Sequence, residues 1–379
     1  MPETSHEVQF LEKLQRLLVE GDFSSTYKFA VLIGLAELAV ESCGPDGQVK
    51  ESFTTRLLAE HVLRLYWPQV RPFVVSRDDA PQSVVLKQNS GRQANIVTTL
   101  RDLALRVGSR PLQALEQRDL AECVRRIEWK LVEMPLPRLQ NLASGTDEFI
   151  YTIGWTVEDV EPRGGWLNRE FDRYCRGESS RFNNNIAMVP RAATTLARFH
   201  GLVRQLVEAR WVREVRKLNK HDLPEEDLHG HLFGVQRVDL GRVAEPLRRL
   251  QGGECFYCGR DLDRVHVDHF LPWARYPDDR IENLLVAHPS CNTSKSDYLP
   301  SVEHLDRWLD RLHDQVRLAE LGGIARELAW PTSAGATLAV ARHLYTRHAP
   351  GAKLWHAPGD FRTWDLGAVQ QVLLRAVAA

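Results

Sequence analysis

Apolar residues recur at helical spacing through the first part of the chain. Between Phe10 and Leu18 they lie three or four positions apart, and Gly21 follows, so this stretch predicts an amphipathic helix that ends near Gly21. The same pattern predicts four further helices, over residues 26–41, 54–65, 92–107 and 111–133. We interpret these apolar stripes as core packing, because a helix buries a one-sided stripe against its neighbours.

The pattern changes at residues 149–155, where the sequence Phe-Ile-Tyr-Thr-Ile-Gly-Trp predicts a strand. Helical spacing returns from Ala192 to Leu218, and again over residues 243–250, 302–321, 335–345 and 364–377. We therefore predict a fold that is mainly α with a small α+β module. Its expected parts are a helical recognition or regulatory domain (residues 1–235), the small module (240–300) and a helical C-terminal extension (301–379).

The charge of the chain limits where a nucleic acid could bind. The formal net charge is −1, so a nucleic-acid surface has to be a local patch. The most basic stretch contains six cations and two glutamates: Arg204, Arg210, Arg213, Arg216, Lys217 and Lys220, with Glu208 and Glu214. A solvated helix face and a surface that follows phosphates both account for this stretch.

The sequence contains no pattern for secretion or for a membrane. Residues 1–9 hold two glutamates and no apolar segment of a signal peptide. The most apolar run, Phe29 to Val40, is interrupted by Glu37 and is too short to cross a bilayer. We therefore expect a cytoplasmic protein with no membrane partner.

The six cysteines form two sets. Cys255 and Cys258 form a C-x2-C pair, and His288 with Cys291 forms a second pair further along the chain. In a reducing compartment, three thiolates and one imidazole predict a closed tetrahedral zinc site. Two interpretations stay open beside it, namely an ordinary buried His288 near free thiols and a redox-active C-x2-C pair. The other three cysteines are scattered and are expected to be buried thiols: Cys43, Cys123 and Cys175.

Residues with the chemistry of a hydrolase lie between the two halves of the zinc site and directly after the second half. Phosphodiester hydrolysis needs a base that activates water, a hard cation, and a group that orients the base. Histidine titrates near neutral pH, and the side-chain oxygens of Asp and Asn suit Mg²⁺. The segment that contains these residue types reads Arg264-Val-His-Val-Asp-His-Phe-Leu-Pro272, then Arg280-Ile-Glu-Asn-Leu-Leu-Val-Ala-His288, then Cys291-Asn-Thr-Ser-Lys-Ser296.

This segment resembles the HNH, or ββα-metal, endonucleases. The resemblance covers about residues 251–300 and rests on three strings: Asp268-His269-x-x-Pro272, Asn283-Leu284 and Cys291-Asn292-x-x-Lys295. It implies a zinc-stapled ββα module, a structural Zn²⁺, and hydrolysis of phosphodiester bonds. It also implies a nucleic-acid partner, with DNA favoured over RNA.

The resemblance implies a role for each motif residue. His269 is the general base, and Asp268 is a ligand of the catalytic Mg²⁺ or Mn²⁺. Asn292 is the second ligand of that ion, Asn283 braces the loop that orients the histidine, and Lys295 faces a phosphate. In the same way, the structural zinc is assigned to Cys255, Cys258, His288 and Cys291.

Two positions depart from the commonest pattern of the family. Asn292 stands where a histidine is usual, which makes this an H-N-N variant and favours the oxygen-binding Mg²⁺. His288 stands where a fourth cysteine is usual, and Cys3His is still a suitable zinc set.

Strand geometry sets a condition on the motif. Neighbouring residues of a strand point to opposite faces, so Asp268 and His269 can serve one centre only if the strand ends there, before Pro272. His266, two residues before Asp268, is either a substrate contact or a neutral position.

The expected activity is that of a metal-dependent endonuclease, a phosphodiesterase-type hydrolase. One centre nicks one strand, so a double-strand break needs a homodimer or repeated nicks. The family suggests a bacterial restriction or anti-phage defence role, where a partner subunit is the alternative to a homodimer. Two other functions are weighed against this one: a zinc-stabilised binding module for nucleic acid or protein with an idle centre, and an RNA-directed nuclease.

Overall fold

The computed structural model describes residues 3–21, 24–77, 80–108, 111–142, 144–161, 165–219, 225–234, 239–349 and 351–378. The chain forms two compact units. The first contains residues 1–39 and 50–235, and the second contains residues 40–49 and 236–379. The predicted combination of a mainly α fold with a small α+β module is confirmed.

The first unit is mainly helical. Its helices are α1 (Glu3–Glu20), α2 (Tyr27–Glu41), α3 (Thr55–Tyr66), α4 (Asn95–Val107), α5 (Gln117–Glu133), α6 (Leu167–Cys175), α7 (Ala192–Arg198), α8 (His200–Asn219) and α9 (Glu225–Leu232). Its strands are β1 (Ser52–Thr54), β2 (Phe73–Arg77), β3 (Ala80–Val84), β4 (Asn141–Leu142), β5 (Gly145–Thr146), β6 (Tyr151–Ile153) and β7 (Asn185–Met188). Strand β7 lies between β1 and β6 in an antiparallel sheet, while β2–β3 and β4–β5 form separate hairpins.

Helix α2 lies in the core of the first unit. All its residues from Phe29 to Ala36 are buried, as expected for a helix that is apolar on every side. Helix α3 is amphipathic and packs against α5. Its first turn is capped by Thr54, whose side chain accepts a hydrogen bond from the Leu57 amide at 3.2 Å. The helices that were predicted from apolar spacing therefore form around this core.

Two stretches that were predicted as single helices are each divided. The first contains α7 and α8, which are separated at Phe199, where the backbone leaves helical geometry (φ −103°, ψ 20°). The second, from Val302, is interrupted at Asp314. That residue is extended and caps a new helix by accepting hydrogen bonds from the amides of Val316 and Arg317. Apolar spacing continued across both breaks and did not reveal them.

Part of the basic stretch on α8 stabilises the first unit. Arg204 contacts Glu37 at 2.6 Å and Glu208 at 2.7 Å, and Arg210 donates to the Leu18 carbonyl oxygen at 3.0 Å. These two arginines are therefore committed to contacts inside the unit, so fewer cations of this stretch remain for phosphates.

The second unit contains α10 (Gly241–Leu250), β8 (His266–His269), β9 (Leu284–Ala287), α11 (Pro289–Lys295), α12 (Val302–His313), α13 (Gln315–Leu328), α14 (Ala334–Thr346), β10 (Lys353–Ala357), β11 (Asp360–Thr363) and α15 (Leu366–Ala378). Strands β8 and β9 pair antiparallel, and so do β10 and β11. The hairpin β10–β11 was not predicted from the sequence.

The C-terminal helices pack into the β8–β9 region. The Trp308 indole donates to the Glu282 carbonyl oxygen, and the Arg311 guanidinium donates to the Leu284 carbonyl oxygen, both at 3.0 Å. The Trp308 ring also stacks on Phe270, with centroids 4.7 Å apart. The small module and the residues after Pro300 therefore share one core.

Candidate functional site

The four predicted zinc ligands lie together in the second unit. The ligand atoms of Cys255, Cys258, His288 and Cys291 are all within 4.8 Å of one another. Around tetrahedral zinc, with Zn–S bonds of about 2.3 Å, neighbouring sulfur atoms are about 3.8 Å apart. The spacing of the donors therefore fits zinc. All six cysteines of the chain are free thiols, and the predicted Cys3His cluster is confirmed as a group that could bind the ion.

A tight turn forms the first half of this cluster. The Cys255 amide donates to the Arg260 carbonyl oxygen, and the Gly259 amide donates to the Cys255 carbonyl oxygen, both at 2.9 Å. Gly259 has a φ of +67°, a conformation that side chains with a β-carbon rarely adopt. The Phe256 amide donates to the Val286 carbonyl oxygen at 3.1 Å. The turn is thereby attached to β9, which leads to the other two ligands.

The second half of the cluster lies where β9 passes into α11. His288 precedes Pro289, the first residue of the helix, and Cys291 is in the first turn. The Nε2 atom of His288 donates to the Asp261 carbonyl oxygen at 3.0 Å. Nδ1 therefore keeps its lone pair, and it lies 3.3 Å from the Cys258 sulfur. A histidine ring oriented through its other nitrogen is typical of a metal ligand.

Two thiols of the cluster, those of Cys258 and Cys291, have opposite pKa shifts. Burial raises the pKa of Cys258, but hydrogen bonds with Arg260, Cys255 and His288 lower it to about 6. Burial and the neighbouring charges of Cys255 and Cys258 raise the pKa of Cys291 to about 12. Three thiolates at this distance repel one another, so a cation such as zinc is needed to hold all three deprotonated.

Asp268 and His269 are the last two residues of β8. In the antiparallel ladder Asp268 is opposite Leu285 and His269 is opposite Leu284. Asp268 is 7% exposed, whereas His269 is half-buried, and the two side chains leave opposite faces of the strand. The strand ends at His269, which is the condition that the motif required.

The Asp268 carboxylate is held through one of its oxygens. The Tyr257 hydroxyl donates to Oδ2 at 2.6 Å, and the Lys295 ammonium lies 3.3 Å from the same atom. Burial raises the pKa of Asp268, while the charge of Lys295 and the Tyr257 hydrogen bond act in the opposite direction. Within the described part of the chain, the hydrogen bonds and ion pairs of this carboxylate all involve Oδ2. Oδ1 is therefore available to a further ligand.

Lys295 lies differently from what the resemblance implied. Its side chain is 1% exposed, and its ammonium donates to the His269 carbonyl oxygen at 3.0 Å, so it does not face outward towards a phosphate. The reason is the position of α11, which packs against β8 and turns this lysine towards Asp268. Burial lowers the pKa of Lys295, and the Asp268 carboxylate opposes that shift.

His269 is paired with a carboxylate that the sequence analysis did not single out. Its Nε2 lies 2.7 Å from Oδ1 of Asp279, and the two side chains are 16% and 20% exposed. Asp279 lies in the loop between β8 and β9, and its backbone is fixed by the Trp330 indole, which donates to the Asp279 carbonyl oxygen at 2.7 Å. A carboxylate at Nε2 keeps the proton on that nitrogen and leaves Nδ1 as an acceptor.

Asn283 joins the two ends of the same loop. Its side-chain amide donates to the carbonyl oxygens of Asp278 at 2.8 Å and Leu271 at 3.1 Å. Its Oδ1 accepts a hydrogen bond from the Leu271 amide at 2.8 Å. The residue is fully buried, so these three hydrogen bonds hold the loop without competition from water.

The other two candidate residues lie on different elements. Asn292 is half-buried on α11, three residues before Lys295, so the two lie on one face of the helix. Because the Lys295 ammonium reaches Asp268, that face lies towards the end of β8. His266 is exposed at the start of β8, and within the described residues it makes no hydrogen bond to Asp268.

Comparison with known families agrees with this geometry. A family model described as an HNH endonuclease matches residues 255–301, so this part of the chain is an HNH segment with a zinc knuckle. A second family model, described as a domain of unknown function (DUF8808), matches residues 7–232, which is more than half of the chain.

The chain belongs to the DUF8808 family. No curated protein matches the sequence of this DUF8808 protein. Its HNH segment supports a nuclease-type hydrolase that binds nucleic acid and uses divalent metal, although the segment is only part of the chain. Among the described residues, no helix has the length and apolar character needed to cross a membrane.

Sequence reasoning missed two side chains at the centre of this DUF8808 protein's site. Tyr257 lies between the two cysteines of the C-x2-C pair, and Asp279 lies in an acidic pair that follows Pro277. The motif does not include Tyr257 or Asp279, so it gave no reason to expect that Tyr257 contacts Asp268 or that Asp279 contacts His269. The only available signal was that both are polar residues inside the segment that carries the motif.

Proposed function

We propose that this DUF8808 protein is a metal-dependent HNH endonuclease that hydrolyses phosphodiester bonds in DNA. The observation that carries the proposal is the arrangement at the end of β8. Asp268 contacts Tyr257 and Lys295, while the next residue, His269, contacts Asp279. A carboxylate for a metal and an imidazole for water are thus held on consecutive residues of the strand end by separate partners, which is how an active site is preorganised.

His269 is the general base in this proposal. Asp279 holds the proton on Nε2, so Nδ1 accepts a proton from the attacking water. The same carboxylate stabilises the imidazolium that results. Asn283 keeps the loop of Asp279 in place through its hydrogen bonds to Leu271 and Asp278. Asp279 and Asn283 therefore act by positioning the His269 ring.

Asp268 and Asn292 would hold the catalytic cation. A carboxylate oxygen and an amide oxygen suit Mg²⁺ or Mn²⁺, and Oδ1 of Asp268 is available for this purpose. When bound, the cation would neutralise charge on the phosphate and on the leaving oxygen. Tyr257 and Lys295 fix the carboxylate through Oδ2, so its other oxygen is held in one direction.

The zinc cluster serves the catalytic residues by fixing α11. Cys291 precedes Asn292 on this helix, and His288 lies at its start. A helix of two turns has little stability of its own in water. Bound zinc would therefore set the position of Asn292 relative to β8.

The substrate and the biological role are the finer parts of the proposal. DNA is favoured over RNA by the family resemblance, and one centre would nick one strand to leave a 5′-phosphate and a 3′-hydroxyl. A double-strand break would need a homodimer or a second nick. We propose that the helical region that contains the DUF8808 match is a recognition or regulatory domain. The role in restriction or anti-phage defence, with its partner subunit, and the cytoplasmic location stay predictions.

The proposal is tested by incubating the full-length protein with supercoiled plasmid, linear duplex and RNA. Each substrate is given Mg²⁺ or a chelator, and His269→Ala is the matched variant. We expect Mg²⁺ to convert the supercoiled plasmid to open circles, and we expect no conversion with chelator or with the variant. Intact plasmid from zinc-loaded protein would indicate an idle centre, and cleavage of RNA alone would redirect the assignment to RNA.

A further inference from the structure

Two exposed aromatic side chains adjoin, along the chain, the two elements that carry the proposed centre. Among the Phe, Tyr and Trp residues that the structure describes, the two most exposed are Trp273 at 37% and Tyr298 at 41%. Trp273 follows Pro272, just beyond β8, and Tyr298 follows the end of α11. An aromatic ring left in water gives up the stabilisation that its burial would supply, so these two rings are candidates for contact with a ligand.

The Tyr298 ring is held in place by the C-terminal hairpin. It meets the Phe361 ring edge to face, with centroids 4.9 Å apart and an angle of 65°. The Lys353 ammonium lies 5.8 Å from the centroid of Phe361. The hairpin is in turn attached to α11, because the Trp355 indole donates to the Ser294 hydroxyl at 3.0 Å. An aromatic pair and a cation are therefore fixed next to the helix that carries the catalytic asparagine.

The Trp273 loop is attached to the same region. The Arg275 guanidinium donates to the Asp297 carbonyl oxygen at 2.6 Å, one residue before Tyr298. Other tryptophans of the second unit donate their indole N–H to protein oxygens, namely Trp308, Trp330, Trp355 and Trp364. Within the described residues the Trp273 indole makes no such bond, so its ring is left free for another contact.

Charge alone does not attract a nucleic acid to this segment. Between Glu254 and Asp297 the sequence contains five Lys or Arg residues and eight Asp or Glu residues. Lys353 adds positive charge beside Phe361, the ring that Tyr298 meets, whereas Arg362 pairs with Asp360 at 3.1 Å. Stacking on exposed rings supplies affinity that does not depend on net charge.

We infer that Trp273 and Tyr298 form a stacking surface for unpaired nucleobases that flank the scissile phosphate. The inference rests on the proposed nuclease function and names the form of its substrate. Each face of a base in an intact duplex is covered by its neighbours in the stack, so an exposed ring can stack only on a base that is unpaired or flipped out. The preferred substrate is therefore a single strand, or a duplex opened at the cleavage site.

The inference is tested by binding, separately from cleavage. Full-length His269→Ala protein is titrated, in fluorescence anisotropy, into one labelled sequence as a single strand, as a paired duplex and as a duplex with a central bubble. We expect the bubble and the single strand to bind more tightly than the paired duplex. Adding Trp273→Ala or Tyr298→Ala to this protein should weaken its binding to the bubble and to the single strand by about tenfold. Adding Trp273→Phe or Tyr298→Phe should leave these two affinities unchanged.

Val316→Ala is the matched control, because Val316 is 68% exposed in the same unit and should not alter binding. Zinc content and thermal unfolding establish that each variant is folded. Unchanged affinity of both alanine variants for the bubble, or a paired duplex bound as tightly as the bubble, would overturn the inference. Failure of the proposed function would give a different result. In that case the wild-type protein would cut none of the substrates, regardless of how tightly the variants bind the labelled strands.

Discussion

Each unit of the protein contains a histidine in contact with a carboxylate, and the proposed function gives the two pairs different purposes. In the first unit His61 lies 3.0 Å from Glu37, and in the second His269 lies 2.7 Å from Asp279. His61 and Glu37 are on neighbouring helices, and the His61 side chain is 4% exposed. His269 is at a strand end, Asp279 is in a loop, and the His269 side chain is 16% exposed.

The surroundings of the first pair show what a structural network looks like. Glu37 also contacts Arg204, which contacts Glu208, and Glu208 contacts His229 at 3.1 Å. Burial raises the pKa of Glu37, but His61 and Arg204 lower it to about 2. A histidine–carboxylate pair is therefore no sign of catalysis by itself. The His269 pair is proposed to be catalytic because its ring is more exposed than that of His61 and because the preceding residue is Asp268, the proposed ligand of the cation.

The largest effect is expected from removing the zinc cluster, which only the second unit has among the described residues. Cys258→Ser should reduce the zinc content from one ion per chain to almost none, because the variant lacks one of the four ligands that a closed zinc site needs. The second unit should lose about 4 kcal/mol or more of stability, as expected for loss of a structural metal. Metal analysis and thermal unfolding measure both effects. Cys175→Ser, in the first unit, is the control, and zinc retained in Cys258→Ser would contradict the assignment.

Exchanging the two histidines for alanine compares the pairs directly. His269→Ala should lower the cleavage rate by about 10³-fold, the usual contribution of a general base, with unchanged thermal unfolding. His61→Ala should leave cleavage by the folded protein in place and lower the free energy of unfolding by about 2 kcal/mol, because Glu37 loses a buried partner. If His269→Ala and His61→Ala had equal effects on the cleavage rate and on the free energy of unfolding, the two pairs would not have the different roles proposed for them.

Glu37→Gln tests the electrostatic part of the comparison. The pKa of Glu37 is about 2 in the folded protein and 4.5 without the fold. The carboxylate therefore stabilises the folded protein above pH 4.5, by about 3 kcal/mol, and this contribution is lost as the pH falls from 4.5 to about 2. We expect the variant to unfold at lower urea concentration at pH 7, and the difference from wild type to shrink near pH 3. A difference that is the same at both pH values would contradict this origin.

The smallest of these effects is expected for Asp279, the partner of the proposed general base. Asp279→Asn keeps the shape of the side chain but weakens the hold on the ring nitrogen, and it should lower the maximal rate by about 30-fold with little change in KM. Asp279→Glu should restore part of the rate, because it restores the carboxylate. A change in KM alone, or no recovery with glutamate, would give Asp279 a purely structural role.

The zinc cluster and the ββα segment could be predicted because their residues follow one another at short, fixed spacings. In each of the pairs Cys255–Cys258 and His288–Cys291 two residues lie between the ligands, and Asp268 adjoins His269. Such spacing is a local property of the sequence. It does not depend on how the rest of the chain folds, so the sequence pattern alone was sufficient to predict the zinc cluster and the ββα segment.

Contacts between distant parts of the chain could not be predicted in this way. Arg311 appears in the sequence as one cation of an amphipathic helix, yet it is 3% exposed and donates to the Leu284 carbonyl oxygen of β9. Lys295 looked like a phosphate contact until the packing of α11 turned it towards Asp268. In both cases the role follows from what the chain packs against, and spacing along the sequence carries no information about that.

Helix α11 has only seven residues, and it carries both a cysteine of the zinc cluster and the proposed magnesium ligand. A newly made chain that has not yet acquired its zinc would lack a defined place for Asn292 and could not cut, even with abundant magnesium. If the proposed function holds, the order of metal loading matters: zinc has to bind before magnesium can be held in a defined position.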